Sequence, residues 1–366
     1  MSDLSNVSVV LPSLDPDEKL TQVIDGLLEY GFSDIVLVND GSKPENLHYF
    51  EDAARLHPEI HLLTHEVNRG KGAALKTAFT YVLGNRPESR GVVTVDGDNQ
   101  HHPADTRACA EAMLSSGHAV LGCRDFTLPD VPQRSRFGNH TTSLVFKIFC
   151  GMTISDTQTG LRAIPIKYLP TLNEVYGDRF EYETNMLLAF KNEGIPFDEV
   201  KIRTVYIEEN KSSHFRMISD SWRIYKLILA HFFRYTASSL VSFVADSGMV
   251  YLLSKCLGGI LMDPALSAVS TIGARVVSSL LNFFMNKKLV FRAKVSTTRY
   301  MLRYYALAIP QLLVQWLLNQ GLYSLFGIAE SQAGLRTLIH ILVMTVLFVI
   351  SFTIQQRWVF APPKSE

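Results

Sequence analysis

The chain has 366 residues, with 35 Lys and Arg against 35 Asp and Glu; 47% of it is hydrophobic and 19% charged. That length allows about two domains, and a balanced, apolar composition excludes a disordered chain or a nucleic-acid-coating protein. The balance conceals an asymmetry: residues 231–366 hold 12 Lys and Arg but 4 Asp and Glu, whereas residues 1–230 hold 23 and 31, so the two halves are different kinds of protein.

Residues 1–14 show no basic flank followed by a long apolar core, so no secretory signal is read there. Short β-branched or aliphatic runs at 7–11, 35–38, 60–63, 92–95 and 119–121 alternate with stretches of helical periodicity such as 18–30 and 72–83. Strands alternating with helices predict a mostly parallel sheet with crossovers, in which ligands sit beyond the carboxyl ends of the strands. Polar residues collect there. Pro12 and Asp15 follow the first run, Asn39-Asp40-Gly41-Ser42 the second, Asn68-Arg69-Gly70-Lys71-Gly72 the third, and Asp96-Gly97-Asp98-Asn99-Gln100 the fourth.

Asp96-Gly97-Asp98 is the sharpest of these. Two carboxylates two residues apart after a buried strand can approach one divalent cation, and hard oxygen ligands suit Mg²⁺ or Mn²⁺. The same tripeptide makes an ordinary turn elsewhere, so its context decides. The glycine pair at 70 and 72 opens a helix and can offer backbone N–H groups to an anion, while Asp40-Gly41-Ser42 alone reads as a turn or helix cap. The four cysteines, at 109, 123, 150 and 256, are dispersed, without the paired spacing of a zinc site or redox dithiol.

Taken in order, these pieces resemble the family 2 glycosyltransferases of the GT-A fold, an α/β, Rossmann-like mixed sheet. Val10-Leu11-Pro12, Val38-Asn39-Asp40-Gly41-Ser42, Asn68-Arg69-Gly70-Lys71-Gly72-Ala73 and Val95-Asp96-Gly97-Asp98-Asn99-Gln100 carry the match. Arg134-Ser135-Arg136-Phe137-Gly138-Asn139, Asp156-Thr157-Gln158-Thr159-Gly160-Leu161-Arg162 and Phe180-Glu181-Tyr182-Glu183 are similar to the subgroup that makes polyprenyl-phosphate sugars, the dolichol-phosphate mannose synthase type. The resemblance covers about residues 5–230. It implies a nucleotide-sugar donor, with Pro12, Asp15, Asp40, Lys71 and Asp96 at the nucleotide and Asp98 and Gln100 on the metal. It also implies one of Glu181 and Glu183 beside the sugar hydroxyls.

A polyprenyl phosphate is largely dianionic near neutral pH, by analogy with a phosphomonoester whose second pKa is about 6, so a strong general base is optional. The site must instead supply charge: a metal for the leaving nucleoside diphosphate and cations for the acceptor phosphate. Arg124 and Arg136 are the candidates for the acceptor. Where mannose-type synthases show an arginine and a Gly-x-Ser-Lys stretch after the sixth strand, this chain reads Glu208-Glu209-Asn210-Lys211-Ser212-Ser213-His214-Phe215-Arg216, which gives the diphosphate-covering role to Lys211, Ser213 and His214.

The C-terminal half carries four apolar stretches at 237–257, 265–285, 304–326 and 335–355, each near the ~20 residues that cross ~30 Å of hydrocarbon. Lys287, Lys288, Arg292, Lys294, Arg299 and Arg303 cluster between the second and third stretches, whereas the segments 258–263 and 327–334 carry no Lys or Arg. The positive-inside rule then puts both termini and the middle loop in the cytoplasm. Residues 282–291 and 351–360 share the pattern [N/S]-F-x-x-[N/Q]-x-[K/R]-x-V-F at an offset of 69, the mark of a two-helix hairpin used twice. The pattern resembles the GtrA-like membrane domain. Asp246 and Arg275 fall near the middle of the first two stretches, at similar depth in an antiparallel hairpin, and are expected either to pair or to serve a polar groove. Trp222, Tyr225, Leu229, Phe232 and Phe233 are spaced as one helical face, an interfacial helix candidate, and residues 137–154 are a second or else an ordinary buried helix.

The expected organisation is therefore a GT-A domain over 1–221, an interfacial junction over 222–235 and an all-α, four-span GtrA-like domain over 236–362. The expected reaction is inverting transfer of one sugar, glucose from UDP or mannose from GDP, to a polyprenyl phosphate at the cytoplasmic leaflet of the cell membrane. A flippase for lipid-linked sugar is the alternative from another class. A processive polysaccharide synthase ranks last, because Gln355-Gln356-Arg357-Trp358 has the wrong spacing for a Q-x-x-R-W stretch.

Overall fold

The computed structural model describes residues 3–129, 131, 133–203, 217–257, 260–261, 265–291, 297–329 and 332–360. The chain forms two units, Met1–Lys226 and Leu227–Glu366, so the division falls inside the expected junction at 222–235.

The first unit is built on seven strands: β1 (Val7–Ser13), β2 (Ile35–Asn39), β3 (Ile60–Thr64), β4 (Gly91–Thr94), β5 (Ala119–Arg124), β6 (Arg162–Pro165) and β7 (Phe197–Ile202). Their order is β3-β2-β1-β4-β6-β5-β7. All pairs are parallel except those of β6, which runs antiparallel to β4 and β5, so the sheet is mixed. Residues Val7–Pro12 of β1 and all of β2 are buried, as expected for strands covered on both faces. Helices α1 (Lys19–Glu29), α2 (Leu47–Leu56), α3 (Lys71–Asn85) and α4 (Pro103–Ser116) are the crossovers, followed by α5 (Gln133–Val145), α6 (Leu169–Asn173) and α7 (Glu181–Asn192). Cys109, Cys123 and Cys150 are buried, and burial pushes the Cys109 and Cys150 thiols up to about 12 and Cys123 higher still.

The parallel register aligns Pro12 with Val38 and Ser13 with Asn39. Every loop after β1, β2 and β4 therefore opens on the same edge, and the site forms there.

The second unit contains α8 (Met217–Leu257) from residue 227 onward, α9 (Ala265–Met285), α10 (Thr297–Leu325) and α11 (Ala333–Ile354). Three of its helical stretches, Phe232–Leu257, Ala265–Val290 and Ala333–Val359, are long and apolar enough to cross a membrane. The expected third span, 304–326, is helical but falls short of that apolarity: α10 carries Gln311, Gln315, Asn319 and Gln320 and has Pro310 inside it. Tyr235 is buried against Phe348 and Phe352 of α11. The last turn of the expected interfacial junction therefore packs inside this unit. The side chains of Trp222 and Tyr225 lie outside the described residues.

The internal repeat has a physical meaning. Each copy ends its helix in a π turn, Asn286–Val290 and Gln355–Val359, and equivalent residues meet. The Asn286 amide donates to Gln355 Oε1 at 3.1 Å, and Phe291 stacks on Phe360 with ring centroids 5.0 Å apart. Asp246 and Arg275 also meet, at 3.4 Å, with Ser278 Oγ donating to Asp246 at 2.7 Å. The two residues pair as expected, but the expected burial of the pair holds for Asp246 alone, since Arg275 is 68% exposed.

Candidate active site

The edge beyond β1, β2 and β4 holds a cleft of 360 Å³ whose wall includes Pro12, Asp15, Asp40, Lys71, Asp96 and Asp98. All six were singled out from the sequence. Asp15 stands at φ +47, a left-handed backbone uncommon for a residue with a side chain. It is held there because its N–H donates to Ser42 Oγ while its carboxylate accepts from the Lys43 N–H. The loops after β1 and β2 are thereby tied together.

Asp40 is buried, and the protein itself holds both of its oxygens. The N–H groups of Arg69 and Gly70 donate to them at 2.9 and 2.7 Å, and His65 Nδ1 lies 2.7 Å from Oδ1. His65 is fixed in turn by Thr77 Oγ1 at 2.9 Å. Asp40 thus sets the start of α3, where Gly70 adopts φ +103 and a Cβ would stand 2.4 Å from the Asp178 carbonyl.

Lys71, the first residue of α3, lies 2.7 Å from Asp96 and 3.0 Å from Glu183 in the first turn of α7. Burial alone would lower the Lys71 pKa, but the two carboxylates outweigh it and hold the ammonium above its ordinary value. Burial likewise works against the Asp96 charge, and Lys71 and His101 together hold this carboxyl well below the usual carboxylate range. Asp98 behaves oppositely. Burial, then the neighbouring Asp96 charge, raises its pKa, and among the described residues it has no cation partner. Its Oδ1 accepts from the Gln100 N–H at 3.2 Å.

No three His, Cys, Asp or Glu side chains among the described residues converge as a metal cage. A Mg²⁺ or Mn²⁺ ion that takes one or two carboxylates and completes its shell with substrate phosphates and water needs none. Asp98, facing the cleft without an ion-pair partner among the described residues, fits that mode. Gln100 is not on the cleft wall.

The remaining site expectations separate. Glu183 reaches the site through Lys71, while Glu181 sits in the same first turn and accepts from the Arg179 N–H at 3.4 Å. Arg124 directs its guanidinium at the fully buried Asp156, with contacts of 2.7 and 3.1 Å, and does not line the cleft. Arg136 lies on α5 and donates to the Leu128 carbonyl, again away from the cleft wall. Lys211, Ser213 and His214 lie outside the described residues.

Three features escaped the sequence reading. Arg179 lines the cleft and makes no ion pair among the described residues; it directly precedes the Phe180–Glu183 motif, and that position was its only signal. Gly160 lets the loop pass Asp96, since a Cβ there would lie 2.2 Å from Asp96 Oδ2. Arg162, buried in β6, donates to the Glu183 carbonyl at 2.8 Å, so the Asp156–Arg162 motif supports the site from behind.

Comparison with known proteins agrees with this geometry. Residues 8–187 match Glycosyl transferase family 2, and residues 260–360 match the GtrA/DPMS transmembrane domain. An uncharacterized protein of Methanocaldococcus jannaschii is 28% identical over 62% of this chain and 93% of its own length. The UDP-N-acetylglucosamine–dolichyl-phosphate N-acetylglucosaminyltransferase of Methanococcus voltae is 24% identical over 61% of this chain and 95% of its own. An undecaprenyl-phosphate 4-deoxy-4-formamido-L-arabinose transferase of Pectobacterium atrosepticum is 28% identical over 44% and 50%. With its mixed seven-stranded, GT-A-like sheet and its apolar helices, the chain joins a family 2 glycosyltransferase domain to a GtrA/DPMS transmembrane domain.

Proposed function

We propose that this protein transfers one sugar, with inversion, from a nucleotide-sugar to a polyprenyl phosphate at the cytoplasmic face of the membrane. The observation that carries the reading is the cleft at the strand edge. It gathers Asp40, Asp96 and Asp98 with Lys71 and Arg179, in a chain that also carries a membrane domain.

Pro12, Asp15 and Asp40 form the end that receives the nucleotide. Lys71 keeps Asp96 ionised and holds Glu183 in place; Asp96 faces the ribose, and Glu183, with Glu181 beside it, faces the sugar hydroxyls. Asp98, on the cleft wall, would hold a Mg²⁺ or Mn²⁺ ion, which would supply charge for the departing diphosphate. Arg179 adds a fixed positive charge at the same wall, and Lys211, Ser213 and His214 cover the diphosphate. Arg136 meets the acceptor phosphate from α5, and Arg124 positions that region by holding Asp156. Phe137 and Leu144 on α5 are 74% and 46% exposed, which supports a membrane-facing role for that helix. We read α10 as the fourth span, with Gln311, Gln315 and Asn319 turned inward among the helices of this unit and the basic cluster at 287–303 cytoplasmic.

The relatives act on sugars beyond glucose and mannose, so the test is a wide panel. Membranes holding the chain are incubated with polyprenyl phosphate and radiolabelled UDP-glucose, UDP-N-acetylglucosamine or GDP-mannose, and label is counted in the organic phase. One donor is expected to label the lipid with a single sugar. Growth of a water-soluble polymer instead would replace this reading with a processive synthase.

A further inference from the structure

The membrane unit holds a second polar pocket, of 190 Å³, walled by α8, α9, α10 and α11. That is far above the roughly 10–15 Å³ needed for one water. One wall is a completed network. Gln355 donates to Tyr235 OH at 3.0 Å and to Ser351 Oγ at 3.2 Å, and its carbonyl accepts from Asn286. Asn282 Oδ1 accepts from Asn286 and from Tyr304 OH, at 2.9 and 3.0 Å.

The rest of the polar lining is unfinished. Gln311 and Gln315, one helical turn apart on α10, both line the pocket, and neither side chain has a hydrogen-bond partner among the described residues. A primary amide taken from water without a partner costs on the order of 2–7 kcal/mol, so two facing one cavity call for something that fills it. The pocket also adjoins both helix ends where the ladder is interrupted, because the π turns start at Asn286 and Gln355. Such interruptions recur at functional sites.

The chemistry of the walls narrows the occupant. Among the described residues no Lys, Arg, His, Asp or Glu lines the pocket, so a phosphate would enter without a counter-charge from them. Its polar groups are amides and hydroxyls, which offer donors and acceptors together, as sugar hydroxyls do. Leu307, Ala308 and Leu312 provide an apolar side, and Leu312 is 65% exposed, so an alkyl chain leaving the pocket meets apolar surface. We propose that this pocket binds the uncharged, hydroxyl-bearing ring of a lipid-borne sugar through Gln311 and Gln315. The proposal requires only that this unit lies in the membrane, and it stands whether or not the transfer reaction assigned above is correct.

The test uses the full chain in nanodiscs of sugar-free phospholipid and an alkyl glucoside carrying a photoreactive group next to the ring. Crosslinks are expected on α10 and α11, displaced by excess octyl glucoside and unaffected by octyl phosphate. Gln311→Leu with Gln315→Leu should weaken labelling about tenfold, the equivalent of ~1.4 kcal/mol. Leu312→Trp, which blocks the mouth and leaves the amides in place, should do the same and decides the matter if the double variant is misfolded by size-exclusion. Displacement by a polyprenyl-phosphate sugar but not by a diacylglycerol glucoside assigns the pocket to a phospho-linked glycolipid, and the converse assigns it to a neutral bilayer glycolipid. Labelling that survives the variants, or that octyl phosphate displaces, overturns the proposal and leaves a water-filled cavity.

Discussion

The cleft of the first unit and the pocket of the membrane unit are both polar and differ in charge. The cleft of the first unit is lined by five carboxylates with Lys19, Lys71 and Arg179, whereas among the described residues the pocket of the membrane unit has no ionisable group except the hydroxyls of Tyr235 and Tyr304. Water explains the contrast. At a solvated sheet edge, charges are affordable and can meet a diphosphate and its cation, while in hydrocarbon an ion costs several kcal/mol and recognition falls to amides and hydroxyls. The exception in the membrane unit, Asp246, is compensated by Arg275 and Ser278.

The strongest way to break this contrast is to remove charge from the cleft. Asp98→Ala should lower transfer by about 10²–10³-fold, the scale of losing one electrostatic contact to the leaving group, with the thermal midpoint unchanged because the residue lies in a loop. Full activity in EDTA, or in this variant, would contradict the assignment. Next in size is a split between two arginines that the sequence treats alike. Arg124→Ala strands the fully buried Asp156, at a cost of about 3–5 kcal/mol, visible as a lowered denaturation midpoint. Arg136→Ala should leave that midpoint alone and raise the KM for polyprenyl phosphate about tenfold, as loss of one charge-assisted contact does. Equal behaviour of the two would refute the split.

A smaller effect sharpens the membrane side. Asp246→Arg and Arg275→Asp should each reduce the folded protein recovered from membranes, and the double swap should restore it. Accumulation of both single variants at normal levels would make the pair incidental. Smallest is a labelling pattern: Cys109, Cys123 and Cys150 are buried and Cys256 is exposed. A membrane-impermeant maleimide should therefore modify one thiol on the intact chain, and only from the non-cytoplasmic side. Modification from the cytoplasmic side would invert the proposed topology.

Much of the fold was legible because five strands are abrupt aliphatic runs that end in polar loops. β6 and β7 carry weaker signals. β6 has four residues, with the buried Arg162 at one end and Pro165 at the other, and β7 alternates Val200 and Ile202 with Asp198, Glu199 and Lys201, as an edge strand does. Within the site, Asp96, Asp98 and Lys71 stood out because each lies in a local motif. The Lys71–Glu183 and Arg124–Asp156 pairs did not, since they join segments 112 and 32 residues apart that only the folded sheet brings together. In the membrane half, the repeat was readable from six matching positions, but that Asn286 and Gln355 bond to each other was not. The apolar count over 304–326 likewise concealed glutamines that share one face of α10.

The central claim is tested most directly by the mass of the lipid product. The purified chain in liposomes, given the donor that labels best and either polyprenyl phosphate or polyprenol, should convert only the phosphate, adding the mass of one sugar residue, with the nucleoside diphosphate released in equal amount. Conversion of polyprenol, addition of several sugars, or donor hydrolysis with no lipid product would contradict it.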